Sequence, residues 1–230
     1  MVINGRQEEM VEFIKENNRA SVRKLAAEFF VSEMTVRRDL KELEKWGFIQ
    51  RYNGGAVYTG EYDRLSIDSR KLLHIDEKKE LAEKTRKHLN DYMTVFLDSS
   101  STTLYIIPVL SGYTDITVVT NSVQCLIAAS KYKLKCIMAG GTYYAHDMCT
   151  VGGETDEFLR KINVDAGFFS VRGLSDDGII SDSDEMQTAA RKAIMPNCKK
   201  RIFLFDSEKQ HKKYVYTICT ADETDDIIVI

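Results

Sequence analysis

The 230-residue chain has a formal net charge of −3, which excludes a globally basic nucleic-acid-coating protein and confines any DNA contact to a local patch. Hydrophobic residues make up 43% and prolines number two, so the chain can build a packed core and is poor in the residues of disordered linkers. Five scattered cysteines (Cys125, Cys136, Cys149, Cys198 and Cys219) with no CxxC pair exclude a disulfide framework and fit reduced thiols.

His74, His88, His146 and His211 lack metal-ligand spacing, and no apolar run approaches the roughly 18 residues of a membrane span. A soluble, cytoplasmic protein is expected, with no membrane partner, no metal and no cofactor.

The chain opens with a helical pattern over 6–17, with Met10, Val11, Phe13 and Ile14 as its apolar positions. Ser21 caps a second helix with Val22, Leu25, Ala26 and Phe29 inward, and Phe30-Val31 turn the chain into Ser32. Ser32 is a favourable N-cap for a third helix, Glu33 complements its dipole, and Gly47 marks its end. At about 100° per residue, Val36, Leu40 and Leu43 form one apolar stripe, while Met34, Arg37, Arg38, Lys41 and Lys45 gather on the opposite side. Residues 19–51 hold eight Lys/Arg against five acids. This local charge of +3 leaves −6 for the rest.

A basic stripe on its own is usually a solvated face. Two helices joined by a tight connection, the second one basic, form instead the helix-turn-helix layout. After Gly47, the runs Phe48-Ile49 and Ala56-Val57-Tyr58 flank Asn53-Gly54-Gly55, a strong hairpin signal. A winged helix-turn-helix is predicted over 1–57, with Arg51 and Tyr52 near the wing tip reaching backbone phosphates. Asp39 is expected to pair with Arg38 or another nearby arginine.

The polar stretch 58–75 is expected to be a linker. A helix then begins near Asp76 and carries Leu81, Ala82 and Leu89. Beyond it, strand-like runs at 94–97, 116–120, 134–139, 166–171, 202–205, 214–219 and 227–230 alternate with helical ones, including 184–194. Such alternation predicts a mostly parallel, Rossmann-like α/β sheet with helices on both faces, and ligands beyond the carboxyl ends of its strands. Polar clusters occur at those ends: Asp98-Ser99-Ser100-Ser101-Thr102-Thr103, then Thr120-Asn121-Ser122, then Gly140-Gly141. Unpaired N–H groups at helix starts would favour a phosphate-sized anion between the first two. Ordinary N-capping is the alternative. Phe168-Phe169 and Tyr143-Tyr144 are expected in the core or at subunit contacts.

The segments ASVRKLAAEFF and VSEMTVRRDLKELEKWGFIQRYNGGAV resemble the N-terminal signature of DeoR-family transcriptional regulators. The segments LDSSSTT, VVTNS, FFSVRGLSDDGI and FDSEK, with Gly140-Gly141, Val151-Gly152 and Glu185, resemble that family's sensor domain, which is related to sugar-phosphate isomerases. Ser100-Ser101-Thr102 stands where the family often has Gly-Thr-Thr.

The resemblance implies sequence-specific binding of a double-stranded DNA operator through the helix from Ser32. Glu33, Met34, Thr35 and Arg38 would approach base edges, and Arg37, Lys41 and Arg51 would serve phosphates. It further implies a phosphorylated sugar or similar effector in residues 76–230, a homodimer or homotetramer spanning two half-sites, and a repressor of carbohydrate genes rather than an enzyme. Asp98, Glu185 and Lys209 are the candidates to hold the sugar, and Arg172 beside Gly173 is a second candidate cation. The alternative function is a sugar-phosphate isomerase-like enzyme carrying a DNA-binding module, with Asp98, Glu185 and Lys209 as acid, base and electrophile.

Overall fold

The computed structural model describes residues 3–59 and 65–230, and the chain forms two compact units, 1–73 and 74–230. In the first, α1 (Gly5–Glu16) is closed by a capping box between Asn4 and Gln7. β1 (Arg19–Ser21) leads into α2 (Val22–Glu28), whose Ser21 cap accepts from the Lys24 N–H. α3 (Glu33–Lys45) starts at Ser32, whose hydroxyl accepts from the Thr35 N–H. The wing is the pair β2 (Ile49–Tyr52) and β3 (Gly55–Tyr58), and β1 adds to it in the order β1-β3-β2, all antiparallel. Gly55 lets β1 approach, since a Cβ there would lie 2.4 Å from the Ala20 carbonyl. β1 has only three residues, too few for alternation to reveal it.

Met10, Val11, Ile14, Leu25, Val36, Leu40, Leu43 and Phe48 form the core of this unit. Within the stretch expected to be a linker, the short helix α4 (Ile67–Arg70) forms, Leu65, Leu72 and Leu73 bury in the same core, and the Ser69 hydroxyl donates to the Trp46 carbonyl. Three leucines supply the burial that a polar stretch does not advertise. The rest of that expected linker includes residues 60–64, which lie outside the described residues. Buried Asp39 accepts from Arg6 Nε at 3.0 Å and Gln7 Nε2 at 3.2 Å. Its arginine is therefore Arg6 of α1, not Arg38.

The second unit is built on six parallel strands: β4 (Thr94–Leu97), β5 (Thr117–Thr120), β6 (Lys135–Met138), β9 (Ala166–Phe169), β12 (Arg201–Phe205) and β14 (Asp226–Val229). Their spatial order is β14-β12-β9-β4-β5-β6. The chain lays β5 and β6 to one side of β4 and then returns for β9, β12 and β14 on the other. The strand order thus reverses between β4 and β9, the place where open parallel sheets form a ligand crevice.

Period-two alternation makes two cores. Val95, Leu97, Phe168 and Leu204 face α5 (Ile75–Lys84), α6 (Ile106–Leu110) and α7 (Val123–Lys131). Phe96, Phe169, Phe203 and Phe205 face α8 (Gly153–Leu159) and α9 (Glu185–Ile194). Phe168-Phe169 are thus core residues, whereas Tyr143 is exposed.

Five smaller strands complete the unit. β7 (Thr142–Tyr144) and β8 (Cys149–Val151) form a hairpin, while β10 (Gly173–Leu174) and β11 (Ile179–Asp182) join β13 (Tyr216–Thr220) in an antiparallel sheet. The run expected at 214–219 therefore forms a strand but lies outside the main sheet; a strand signal does not name its partner. Among the described residues no helix is long and apolar enough to cross a membrane.

Replacing Asp39 by alanine is expected to destabilise the first unit by about 1–3 kcal/mol, because Gln7 and Arg6 lose a buried acceptor. Urea unfolding of the variant measures this directly.

Candidate DNA-reading face and effector crevice

The two faces of α3 do different work. Val36, Asp39, Leu40 and Leu43 are buried, while Glu33, Met34, Arg37, Arg38 and Lys41 are exposed. Met34 is 81% exposed, a large apolar side chain held out in water beside the cations. Arg37 pairs with Glu33 at 3.2 Å across one helical turn. Arg38 and Lys41 have no carboxylate partner among the described residues. Arg51 is not a free arm of the wing. Its guanidinium lies 2.7 Å from Glu44 and its backbone N–H donates to the same carboxylate at 2.9 Å. These bonds hold the Glu44 carboxyl below the usual range and fasten β2 to the end of α3. Arg38, Lys41, Lys45 and Arg51, with Glu42 and Glu44, line a groove of about 550 Å³. Four cations against two acids, one of them already paired, make this groove attractive to phosphate.

At the switch point in the second unit, the central group is Asp98, directly after β4. One carboxylate oxygen accepts from Arg191 Nε at 2.9 Å and the Ser170 N–H at 3.0 Å, and the other accepts from the Ser100 N–H and the Thr103 hydroxyl, both at 3.1 Å. Asp98 is 1% exposed, so it organises the crevice from within rather than offering an acceptor to a sugar. The loop it gathers does not open directly into a long helix. Ser100 caps Thr103, a 3₁₀ turn follows, and α6 begins only at Ile106. The expected helix therefore starts as a 3₁₀ turn that runs into α6 and ends at Leu110, and of the loop's N–H groups that of Ser100 is taken by the Asp98 carboxylate and that of Thr103 by the Ser100 hydroxyl.

The other polar loops are also consumed internally. Thr120 Oγ1 donates to the Leu97 carbonyl at 2.7 Å, Asn121 Nδ2 to the Thr150 carbonyl at 2.9 Å, and Ser122 caps α7. Gly140 and Gly141 serve the packing of α8. Thr155 Oγ1 donates to the Gly140 carbonyl, and a Cβ at Gly141 would lie 2.1 Å from that hydroxyl. Gly173 admits the Lys212 backbone, whose carbonyl would be 2.5 Å from an added Cβ. Arg172 sits 3.4 Å from Asp182, and exposed Glu185 accepts from the Tyr216 hydroxyl at 3.4 Å. Ser99 donates to Gln187 at 3.0 Å.

One pair of expected residues does meet. The Lys209 ammonium donates to Thr102 Oγ1 at 3.0 Å and to Ser170 Oγ at 2.8 Å, and lies 3.2 Å from Asp206. Ser101 is buried in the same loop. A buried ammonium thus meets two hydroxyls and one carboxylate at the carboxyl ends of β4, β9 and β12. Burial alone would raise the Asp206 carboxyl, but Lys209 and Lys78 outweigh it and hold it below its ordinary value.

Sequence reasoning missed Lys78, Asp147, Ser170, Asp182, Gln187, Arg191 and Asp206. Gln187 donates to Asp147, and Arg191 bridges Asp98 and Asp182. The two carboxylates raise the affinity of the Arg191 guanidinium for its proton against the opposing effect of burial. The i, i+4 spacing of Gln187 and Arg191 beside Asp184 was the available signal.

A winged helix with a cationic outer face, in one chain with a parallel α/β unit whose polar groups converge on a switch point, defines a two-part DNA-binding regulator. Residues 6–61 match the DeoR-like helix-turn-helix domain and residues 73–229 match the DeoR C terminal sensor domain. The chain belongs to the DeoR family and is a DNA-binding transcriptional regulator. It is 30% identical over 218 residues to the HTH-type transcriptional regulator IolR of Bacillus subtilis (strain 168), covering 94% of this chain and 87% of that protein. It is 26% identical over 201 residues to the glycerol-3-phosphate regulon repressor of Escherichia coli (strain K12), covering 87% and 80%. It is 30% identical over 212 residues to the L-fucose operon activator of Haemophilus influenzae, covering 91% and 85%. Among solved structures it resembles a ribose 5-phosphate isomerase from Methanocaldococcus jannaschii at 17% identity and a TM-score of 0.44, covering 59% and 54%.

Two outcomes are expected. Asp98→Ala removes one of the two carboxylates that the buried Arg191 guanidinium bridges and leaves the Ser100 and Ser170 N–H groups without an acceptor, and it should cost about 3 kcal/mol in denaturant unfolding. Asp206, with its lowered folded value, contributes stability that is present above the unfolded carboxylate pKa of about 4 and lost as pH falls through that lowered value. Unfolding measured between about pH 5 and pH 2 should therefore show a shallower acid loss in Asp206→Asn than in the parent.

Proposed function

We propose that the protein is a repressor of carbohydrate-metabolism genes whose hold on operator DNA is set by a phosphorylated sugar or closely related metabolite. The observation that carries this reading is the buried Lys209 ammonium, seated between the Thr102 and Ser170 hydroxyls at the β4/β9 switch point. A phosphoryl group entering there would replace neutral hydroxyl acceptors with an anion, which strengthens each hydrogen bond the ammonium makes. Thr102, Ser101 and Lys209 are assigned to the phosphate, with Ser170 and Asp206 beside them. Asp98, Ser99, Ser100, Thr103, Thr120, Asn121 and Ser122 shape the crevice from behind, and Arg172 stands at its border. The relatives lend the chemistry: one takes its name from a regulon for glycerol 3-phosphate and another from an operon for L-fucose.

On the DNA side, Met34, Thr35, Arg38 and Glu33 are assigned to base edges, while Arg37, Lys41 and Arg51 are assigned to phosphates, with Ser32 as the cap that sets the entry of the helix. One reading head makes few base contacts, so a homodimer or homotetramer on paired half-sites is part of the proposal, with residues 76–230 supplying the association surface. The isomerase alternative draws little support. Asp98 already accepts four hydrogen bonds, and Glu185 is exposed and engaged with Tyr216.

Thermal-shift measurements on the full chain with glycerol 3-phosphate, ribose 5-phosphate and fructose 1-phosphate, against the free sugars, test the sensor. A phosphorylated ligand at a hundred times its Kd adds about 2.7 kcal/mol and should raise Tm by roughly 5–10 °C. Lys209→Ala should erase that shift. Arg37→Ala combined with Arg38→Ala should abolish sequence-specific operator binding in fluorescence anisotropy with the melting temperature unchanged; native affinity in that variant would overturn the assignment of α3.

A further inference from the structure

The turn that carries Lys209 is not capped by its own residues. Ser207–Lys209 forms a 3₁₀ turn after β12, and its N-cap Asp206 makes no side-chain cap hydrogen bond. The cap comes from Glu77, in the first turn of α5, 130 residues earlier in the chain. The Ser207 N–H donates to Glu77 Oε2 at 2.9 Å, and the Ser207 hydroxyl lies 3.0 and 2.9 Å from the two carboxylate oxygens. The neighbouring Lys78 is fully buried, and its charge helps to hold the Asp206 carboxyl below its ordinary value. The His74 ring also rests on Glu77, with Nδ1 3.3 Å from Oε1. One residue of α5 is thus bonded directly to the Lys209 turn, and the charge of the next acts on that turn's Asp206. α5 begins two residues after Leu73, the last residue of the first unit.

We propose that Glu77 is a positioning residue that ties the Lys209 turn to the helix leading out of the DNA reader, so that whatever draws on Lys209 is felt at the start of α5. The regulatory meaning rests on the assignment of Lys209 to the effector crevice. The geometry has a direct consequence. If Lys209 leaves Thr102, Ser170 and Asp206, the turn shifts, and the Ser207 N–H and hydroxyl move with it. Glu77 then follows Ser207 or loses its bonds. A helix whose first turn is held by one such carboxylate loosens when that carboxylate lets go.

A double-mutant cycle read by hydrogen–deuterium exchange on the full chain tests this without any ligand. Lys209→Met, which removes the ammonium, should speed exchange of the 75–84 amides roughly tenfold, the scale of one hydrogen bond to a charged group. In the Glu77→Ala background the same change at Lys209 should have no further effect on 75–84. Glu77→Gln keeps one oxygen for the Ser207 N–H and should restore the response. A residue that merely stabilised α5 would raise exchange in Glu77→Ala but leave the response to Lys209→Met intact, and that result would overturn the proposal. So would unchanged exchange at 75–84 in Lys209→Met alone. Should Glu77→Ala fail to fold, Ser207→Ala and Glu77→Gln give the same decision, since the first removes the hydroxyl arm and must weaken the coupling. Failure of every sugar phosphate to stabilise the chain would count against the effector assignment while leaving this cycle as it stands.

Discussion

Burying a carboxylate at the end of the central strand is the constraint around which the second unit is arranged. Asp98 can be nearly inaccessible because its two oxygens accept four hydrogen bonds, one of them from a guanidinium. Each donor is a positional requirement. Arg191 must come from α9 on one side of the sheet, the Ser170 N–H from the next strand, and the Ser100 and Thr103 donors from the loop itself. The carboxylate therefore stitches the β4/β9 seam at the point where strand order reverses. Removing it would leave the buried Arg191 with Asp182 as its one carboxylate and the Ser100 and Ser170 N–H groups unpaired, each loss costly in a medium of low dielectric.

The same demand explains why the crevice is selective about what it leaves available. Hydroxyl groups that look like a phosphate cradle in the sequence are mostly committed to neighbouring carbonyls or to the first turns of helices. Thr102 and Ser170 differ in that each also accepts from an ammonium, although the Ser170 hydroxyl still donates to the Leu204 carbonyl at 2.7 Å. Lys209 reaches them from the turn after β12, and Asp206, 3.2 Å away, is its ion-pair partner. The place thus holds a compact, buried cation bonded to two hydroxyls and paired with one carboxylate.

In the reader the corresponding device is a helix with two incompatible faces. Leu40 and Leu43 hold α3 in the core, and Asp39, though charged, joins them by bonding Arg6 and Gln7 of α1. That arrangement removes one negative charge from the outer surface. Glu44 is likewise turned to Arg51, so that it fastens the wing. The acids of this segment thus brace the fold while Arg38 and Lys41 remain turned outward. A nearly neutral balance along the sequence becomes a cationic groove in space.

Local chemistry was legible from the residues alone. Ser21 and Ser32 cap the helices they were expected to cap, the apolar stripe of Val36, Leu40 and Leu43 faces inward, and the Asn-Gly turn makes the wing, because capping, periodicity and turn type depend on residues within about four positions of one another. Runs of β-branched and aromatic residues likewise marked the strands of the parallel sheet. Partnership across the chain was not legible. That 216–220 pairs with β11 outside the main sheet, that Leu65, Leu72 and Leu73 complete the first core, that Asp98 is spent on Arg191 and Ser170, and that Glu77 meets Ser207 are facts of tertiary structure. A side chain advertises what it can bond, and only the folded path of the backbone decides which of many equally suitable partners arrives within 3 Å.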